Sequence, residues 1–514
     1  MRQLGDVIPL PAVVRPDPAG DFPIMSDVAV SADPAAADLA EHLAGLLRRA
    51  TGWPVPVAEG GSIRVELARP REEESDKSPE SYRLDIAADG MTLRAPARAG
   101  LFAGVQTIRQ LLPEDPASAA IRELNEGPAG ADIRELNEDP AGATTPQITL
   151  PGGRIEDEPR FAYRSTMLDL ARHFFTPDEI KAHVDAISQF KINHLHLHLT
   201  DDQGWRLEIA SWPRLTEVSG GAGTGVDGAG PGFLTAEEYA DLVAYAESRF
   251  VTIVPEIDLP GHVNAAQVAY PELTRDGTPV LPRTDPQVGY SSLCADQELT
   301  YTFVEDVIRT VAELTPGPYL HIGGDEAFST PPEDYRTFLG RVLPMVGKYG
   351  KRAIGWHEIA AAELPATAIA QYWRIEPADD GVARAAAAGH QVIMSPADRS
   401  YLDMKYDESS PYGLDWAGLL GVHRAYDWDP ADRLPGVGEE SLLGVEAPLW
   451  SETLRDIADV QYMTFPRLPA IAEVGWSPRA ARDWPSFRRR LAAFGSRWAA
   501  QGVNYFRSPE IDWA

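Results

Sequence analysis

Two carboxylates stand side by side in the octapeptide His321-Ile322-Gly323-Gly324-Asp325-Glu326-Ala327-Phe328. An apolar run (Tyr319, Leu320, Ile322) leads into them and reads as a short buried strand. The two glycines remove side chains where something must approach the backbone closely. Adjacent carboxylates cannot both ionise cheaply in a dry pocket, so one pKa is pushed up. A neutral carboxylic acid beside a carboxylate can protonate a leaving group. The octapeptide therefore points to acid catalysis, with glycoside hydrolysis as the first reaction to consider.

The elements that must hold this pair begin near Arg160, where short apolar strands alternate with helices. The spacing predicts strands over Ser165–Leu170, His194–Leu199, Thr252–Ile257, Tyr319–Ile322, Ala353–Trp356, Ile369–Trp373, Gln391–Met394 and Leu443–Glu446. Helical patterns lie between most of them, at Pro177–Phe190, Ala236–Ser248, Leu299–Leu314 and Pro332–Tyr349. Eight strands with intervening helices predict a (β/α)8 barrel, and about 350 residues suit that fold. Residues just after a barrel strand sit at its active face. Every chemically promising cluster falls there: Asp169/Arg172/His173, Asp201/Asp202, Glu256/Asp258/His262, Asp325/Glu326, Trp356, Trp373, Tyr401/Asp403 and Trp450/Glu452. His194, His196 and His198 alternate along one strand and so share a face, which makes a metal-dependent amidohydrolase barrel the second enzyme reading.

Residues 1–150 read as a small α+β N-terminal domain. Ala35–Ala50 has helical spacing, Ile63 to Leu67 and Tyr82 to Ile86 alternate as strands, and Asp89-Gly90 turns a hairpin into Met91–Leu93. A helix follows over Ala99–Leu112 and stops at Pro113. Residues 121–132 recur almost unchanged as 133–144, a duplicated stretch rich in Pro, Gly and Glu that is expected to form an exposed loop without a catalytic role. Residues 151–514 are assigned to the barrel, closed by one last amphipathic helix over Trp484–Gln501.

At 514 residues the chain is long enough for two or three domains, and 44% hydrophobic content suffices for their cores. A net charge of −31 argues against nucleic acid or an anionic membrane surface as partner. The single cysteine, Cys294, allows no internal disulfide. No run of about 18 apolar residues predicts a membrane span. No signal-peptide core follows Met1, so the sequence as written is expected to be cytoplasmic, or secreted if a leader precedes it. Oligomeric state is not legible.

The octapeptide resembles the signature of glycoside hydrolase family 20, the β-N-acetylhexosaminidases. Other stretches are similar to that family in order and spacing: Met167 to Phe175 (MLDLARHFF), Asn193 to Arg206 (NHLHLHLTDDQGWR), Pro255 to His262 (PEIDLPGH), Leu449 to Thr453 (LWSET) and, in the N-terminal domain, Gly100 to Thr107 (GLFAGVQT). His357 stands where the family commonly shows aspartate, and Phe233 where tyrosine is usual.

The resemblance implies substrate-assisted, retaining hydrolysis through an oxazolinium-type intermediate, an exception to the two-carboxylate scheme. It makes Glu326 the general acid/base, Asp325 the acceptor from the acetamido N–H, and Tyr401 the donor to the acetamido oxygen. It implies that Arg172, Asp403 and Glu452 hold sugar hydroxyls, that Trp356, Trp373 and Trp450 wall the acetamido group and sugar face, and that Asp201 and His262 tune Glu326 through hydrogen bonds. No metal or cofactor is implied. The partner implied is an oligosaccharide or glycoconjugate ending in β-linked GlcNAc or GalNAc. Besides the metal-dependent barrel, a disaccharide-releasing relative and an inactive carbohydrate-binding barrel are the alternatives.

Overall fold

A computed structural model describes residues 3–68, 77–113, 148–376 and 379–513. The duplicated stretch 121–144 lies outside the described residues. Two compact units emerge: residues 1–160, 189–191 and 476–514 in one, residues 161–188 and 192–475 in the other.

The first unit is built on a six-stranded sheet. Its strand order is Val13–Pro16, Gly153–Asp157, Tyr82–Ala87, Gly90–Ala95, Ile63–Leu67, Val30–Ala32. Two helices, Ala37–Thr51 and Arg98–Leu111, lie close to the predicted spans. Gly100 and Gly104 explain how the second helix meets the sheet so closely: a Cβ on Gly100 would stand 2.1 Å from the Ser81 carbonyl oxygen, and one on Gly104 2.2 Å from Leu93. A buried ion pair, Lys191 Nζ to Asp157 Oδ2 at 2.9 Å, ties the later segments to this unit. Asp157 also accepts from the Tyr82 hydroxyl (2.8 Å) and the Trp476 indole N–H (3.0 Å). Residues 476–514, assigned to the barrel domain from sequence, therefore cluster here. Their expected single helix is two, Trp484–Ala492 and Phe494–Ala500. The break at Ala493 turns Phe494 and Trp498 onto an aromatic cluster with Phe190 and Tyr505.

The second unit is a closed parallel barrel of eight strands: β1 (Tyr163–Asp169), β2 (His194–His198), β3 (Thr252–Glu256), β4 (Tyr319–His321), β5 (Arg352–Trp356), β6 (Ile369–Tyr372), β7 (Gln391–Met394) and β8 (Leu442–Ala447). They pair in chain order, and β8 closes on β1. The (β/α)8 prediction holds, with two irregular connections: β7 and β8 are joined through helices of only four and five residues, Ala397–Ser400 and Val422–Tyr426. Between β5 and β6 there is a single 3-10 segment, His357–Ala361, in place of an α-helix.

Tyr163, Val254, Ile354, Ile369, Ile393 and Leu443 form an apolar cluster inside the barrel. Each contributes about 1.5–3 kcal/mol through burial. Beyond it the interior becomes polar, with His196, Glu256, His321, Gln371 and Glu446 all fully buried. Charges so deep must be paired. His196 Nδ1 lies 2.9 Å from Glu446, and Gln371 donates to the same carboxylate at 2.7 Å.

Candidate active site

Backbone geometry sets the acid pair. After β4, Gly323 and Gly324 adopt φ of +67° and +100°. A Cβ on Gly323 would lie 1.7 Å from Asp258 Oδ1, so glycine alone fits. The turn is held from three sides. Gly324 N–H donates to Asp258 Oδ1 (3.1 Å), Tyr335 donates to the Gly324 carbonyl (2.6 Å), and the Trp356 N–H donates to the Gly323 carbonyl (2.9 Å). This turn aims Asp325, which is buried, and Glu326, whose side chain is 27% exposed, into one cavity. Glu326 itself has φ +44° and His262 φ +54°, a left-handed conformation uncommon outside glycine and asparagine.

His262 links the pair to the barrel. Its Nε2 lies 3.7 Å from Asp325 Oδ2 and 3.8 Å from Glu326 Oε2. Its Nδ1 donates to Asp201 Oδ1 at 3.0 Å. The predicted influence of Asp201 and His262 on Glu326 thus runs through charge, since the Glu326 contact is longer than a hydrogen bond. Burial alone would lower the His262 pKa, but Asp201, Asp258 and Asp325 hold it well above the ordinary value. Burial and then the neighbouring Asp325 push the Glu326 carboxyl up to about 7, against the pull of His262 and Arg172. Asp325 is raised by burial and by Glu256, with His262 opposing. The arrangement can therefore keep one proton near neutral pH at the exposed edge of a buried negative pair.

The remaining predicted residues converge on the same cavity, of about 290 Å³. Arg172, Trp356, Trp373, Tyr401, Asp403, Trp450 and Glu452 all line it; Asp201 stands behind. Arg172 is fixed by Asp201 (2.8 Å), Asp169 (3.4 Å) and Gln203 (3.0 Å), and its guanidinium lies 5.0 Å from the Trp450 ring centroid. Neither carboxylate oxygen of the buried Asp403 makes a well-aligned hydrogen bond, although the backbone N–H groups of Asp403 and Trp450 stand near it. Burial and Glu452 raise its pKa well above the usual range. A sugar hydroxyl would supply what Asp403 lacks. Tyr401 is buried, with Trp416 edge-on at 5.8 Å.

Several lining groups had no role assigned from sequence. Trp416, 48% exposed, stands edge-on to Trp373 at 6.0 Å and lines the cavity with Pro286, Val288 and Leu414. They lie in long loops without periodicity, so no pattern marked them. Glu358 accepts from the Trp373 indole N–H at 3.2 Å, and burial followed by the Asp325 charge raises it to about 8. The departing residue His357 is buried beside it, its Nδ1 3.1 Å from Glu358 Oε2. Phe233 is 37% exposed and absent from the cavity lining.

The three histidines of β2 go separate ways. His194 stacks on Tyr163 at 4.2 Å, and burial lowers it to about 3. His196 sits between Glu446 and Glu256, and His198 between Glu256 and Asp201. Among the described residues, the three therefore do not converge as one ligand set. The His-carboxylate groups that do come close contain their own charge partners.

Comparison with known proteins agrees with this geometry. The model described as "Glycosyl hydrolase family 20, catalytic domain" matches residues 161–334 and 331–479, and that for "Glycosyl hydrolase family 20, domain 2" matches residues 5–158. A β-N-acetylhexosaminidase from Cellulomonas fimi is 39% identical, covering 99% of this chain and 97% of its own. A mutant Streptomyces plicatus β-hexosaminidase, solved with the product GlcNAc, is 46% identical with a TM-score of 0.90, covering 100% of this chain and 98% of its own. A family 20 β-N-acetylhexosaminidase from Streptomyces coelicolor gives the same identity and TM-score, with 100% and 99% covered.

Proposed function

Because the chain belongs to glycosyl hydrolase family 20 and is a glycoside hydrolase, we propose that it removes single β-linked N-acetylhexosamine residues from the non-reducing ends of oligosaccharides or glycoconjugates. The observation that carries this reading is the 290 Å³ cavity with Asp325 and Glu326 at one side and Asp403, without a well-aligned hydrogen bond, at another. Its size suits one sugar ring.

In the proposed reaction the acetamido oxygen attacks the anomeric carbon as the glycosidic bond breaks. Glu326 gives its proton to the departing oxygen. Asp325 accepts the acetamido N–H bond and offsets the positive charge that grows on the forming ring, while Tyr401 donates to the acetamido oxygen and aims it. Water then opens the oxazolinium-type intermediate, with Glu326 taking its proton, and configuration is retained. Arg172, Asp403 and Glu452 hold hydroxyls, and the three tryptophans exclude water around the acetamido methyl.

Hydrolysis of aryl β-GlcNAc, aryl β-GalNAc, aryl β-glucoside and an aryl disaccharide, with chelator present, tests this. Cleavage of the acetamido monosaccharides alone is expected. Cleavage of the disaccharide alone would replace single-residue release by disaccharide release. Equal cleavage of the glucoside would overturn substrate assistance.

A further inference from the structure

Glu256, the last residue of β3, is fully buried, does not line the cavity and has no part in the reaction as derived. Yet it gathers four ring nitrogens. Its Oε1 accepts from the Trp356 indole N–H at 2.9 Å; His321 Nδ1 stands at the same distance but is itself the acceptor of the Gly323 N–H at 3.0 Å. Its Oε2 has His196 Nε2 at 3.0 Å and pairs with His198 Nδ1. The two oxygens lead to different parts of the site. Through Oε1 the carboxylate fixes Trp356, a wall of the cavity. Through Oε2 it fixes His198, whose Nε2 bonds Asp201 Oδ2 at 2.8 Å. Asp201 in turn holds His262 and Arg172. His198 also meets Trp450 edge-on at 4.8 Å.

We infer that Glu256 is a positioning residue that indexes both halves of the site to one point at the centre of the barrel: Oε1 serves the Trp356 wall, and Oε2, through His198 and Asp201, serves the proton-handling chain together with Arg172. This rests on the family 20 reading above. A carboxylate is suited to the task because it only accepts, so both oxygens can take N–H donors at once. Its charge also keeps the buried His198 ring as a double donor between Glu256 and Asp201. Burial alone would deprive that imidazole of its proton; Glu256 and Asp201 reverse the direction. With His198 held at both nitrogens, Asp201 is fixed, and so is the ring that faces Glu326.

The test separates the two branches by leaving group. Phenyl β-GlcNAc needs a proton on its departing oxygen, and 2,4-dinitrophenyl β-GlcNAc does not. His198→Gln is expected to lower kcat/KM, which reports the bond-breaking step, at least about ten-fold more for the phenyl substrate than for the dinitrophenyl substrate. Trp356→Phe keeps an aromatic wall but removes the N–H, and is expected to raise KM about three-fold or more and to lower kcat by the same factor for both substrates, whatever the leaving group. Glu256→Gln should show both defects together, with unchanged circular dichroism. A wild-type enzyme inactive on both substrates would overturn the functional reading itself. An active wild type with Glu256→Gln showing only one defect, or equal losses on both substrates, would overturn the positioning role alone. Should Glu256→Gln fail to fold, His198→Gln decides: a loss indifferent to the leaving group overturns the inference.

Discussion

Glu326 holds a proton to about pH 7 because burial and Asp325 both disfavour its charge. The acid must be protonated for the first step, so kcat/KM is expected to fall as pH rises through about 7. Glu326→Gln should remove that limb and lower turnover of poor leaving groups by about 10²–10⁴-fold. A pH–rate series on a phenyl glycoside measures both. Asp325→Asn keeps the shape but not the charge opposite the acetamido nitrogen, and about 10²–10³-fold loss in kcat is expected on the same substrate. These residues were legible because they follow strands and match a specific motif. Glu256, fully buried and within a quoted motif, had no role that its sequence position could reveal. Its role lies in the hydrogen bonds it takes from β2 and β5, from His198 and from Trp356.

The turn after β4 shows how an element does chemistry by leaving side chains out. Gly323→Ala would place a methyl 1.7 Å from Asp258 Oδ1 at a φ of +67°. A loss of about 1–3 kcal/mol or more in stability is expected, with activity falling about ten-fold or more. Gly350→Ala, also at positive φ but with nothing within 4 Å, is the control that keeps activity. Denaturant unfolding and turnover of one aryl substrate separate the two. The barrel strands were legible from sequence because each is a short apolar run with a polar cluster after it. The sequence marks no helical pattern between β5 and β6, and the structure has only the 3-10 segment His357–Ala361 there. The C-terminal break was hidden: the pattern over Trp484–Gln501 is amphipathic throughout, and the second helix is held by tertiary contacts, aromatic ones at Phe494 and Trp498 and hydrogen bonds from Arg497 to the Gln110 and Leu112 carbonyls.

For the molecule as a whole, the charge of −31 and the internally paired histidines bear on conditions of assay. Incubation with EDTA followed by gel filtration is expected to leave kcat unchanged; loss restored by zinc would instead support the metal-dependent barrel. No helix among the described residues is long and apolar enough to cross a membrane. Glu326 and His262 both occupy left-handed backbone, where a residue with a side chain costs about 1–3 kcal/mol. The proton donor and the imidazole that faces it at 3.8 Å thus occupy two positions that a thermostability screen, blind to turnover, would seek to mutate. Glu326→Gly is expected to melt several degrees above the parent, and Ala327→Gly beside it is not. If that order holds, heat-selected variants of this scaffold would tend to drift toward stable, silent proteins unless activity is selected in parallel.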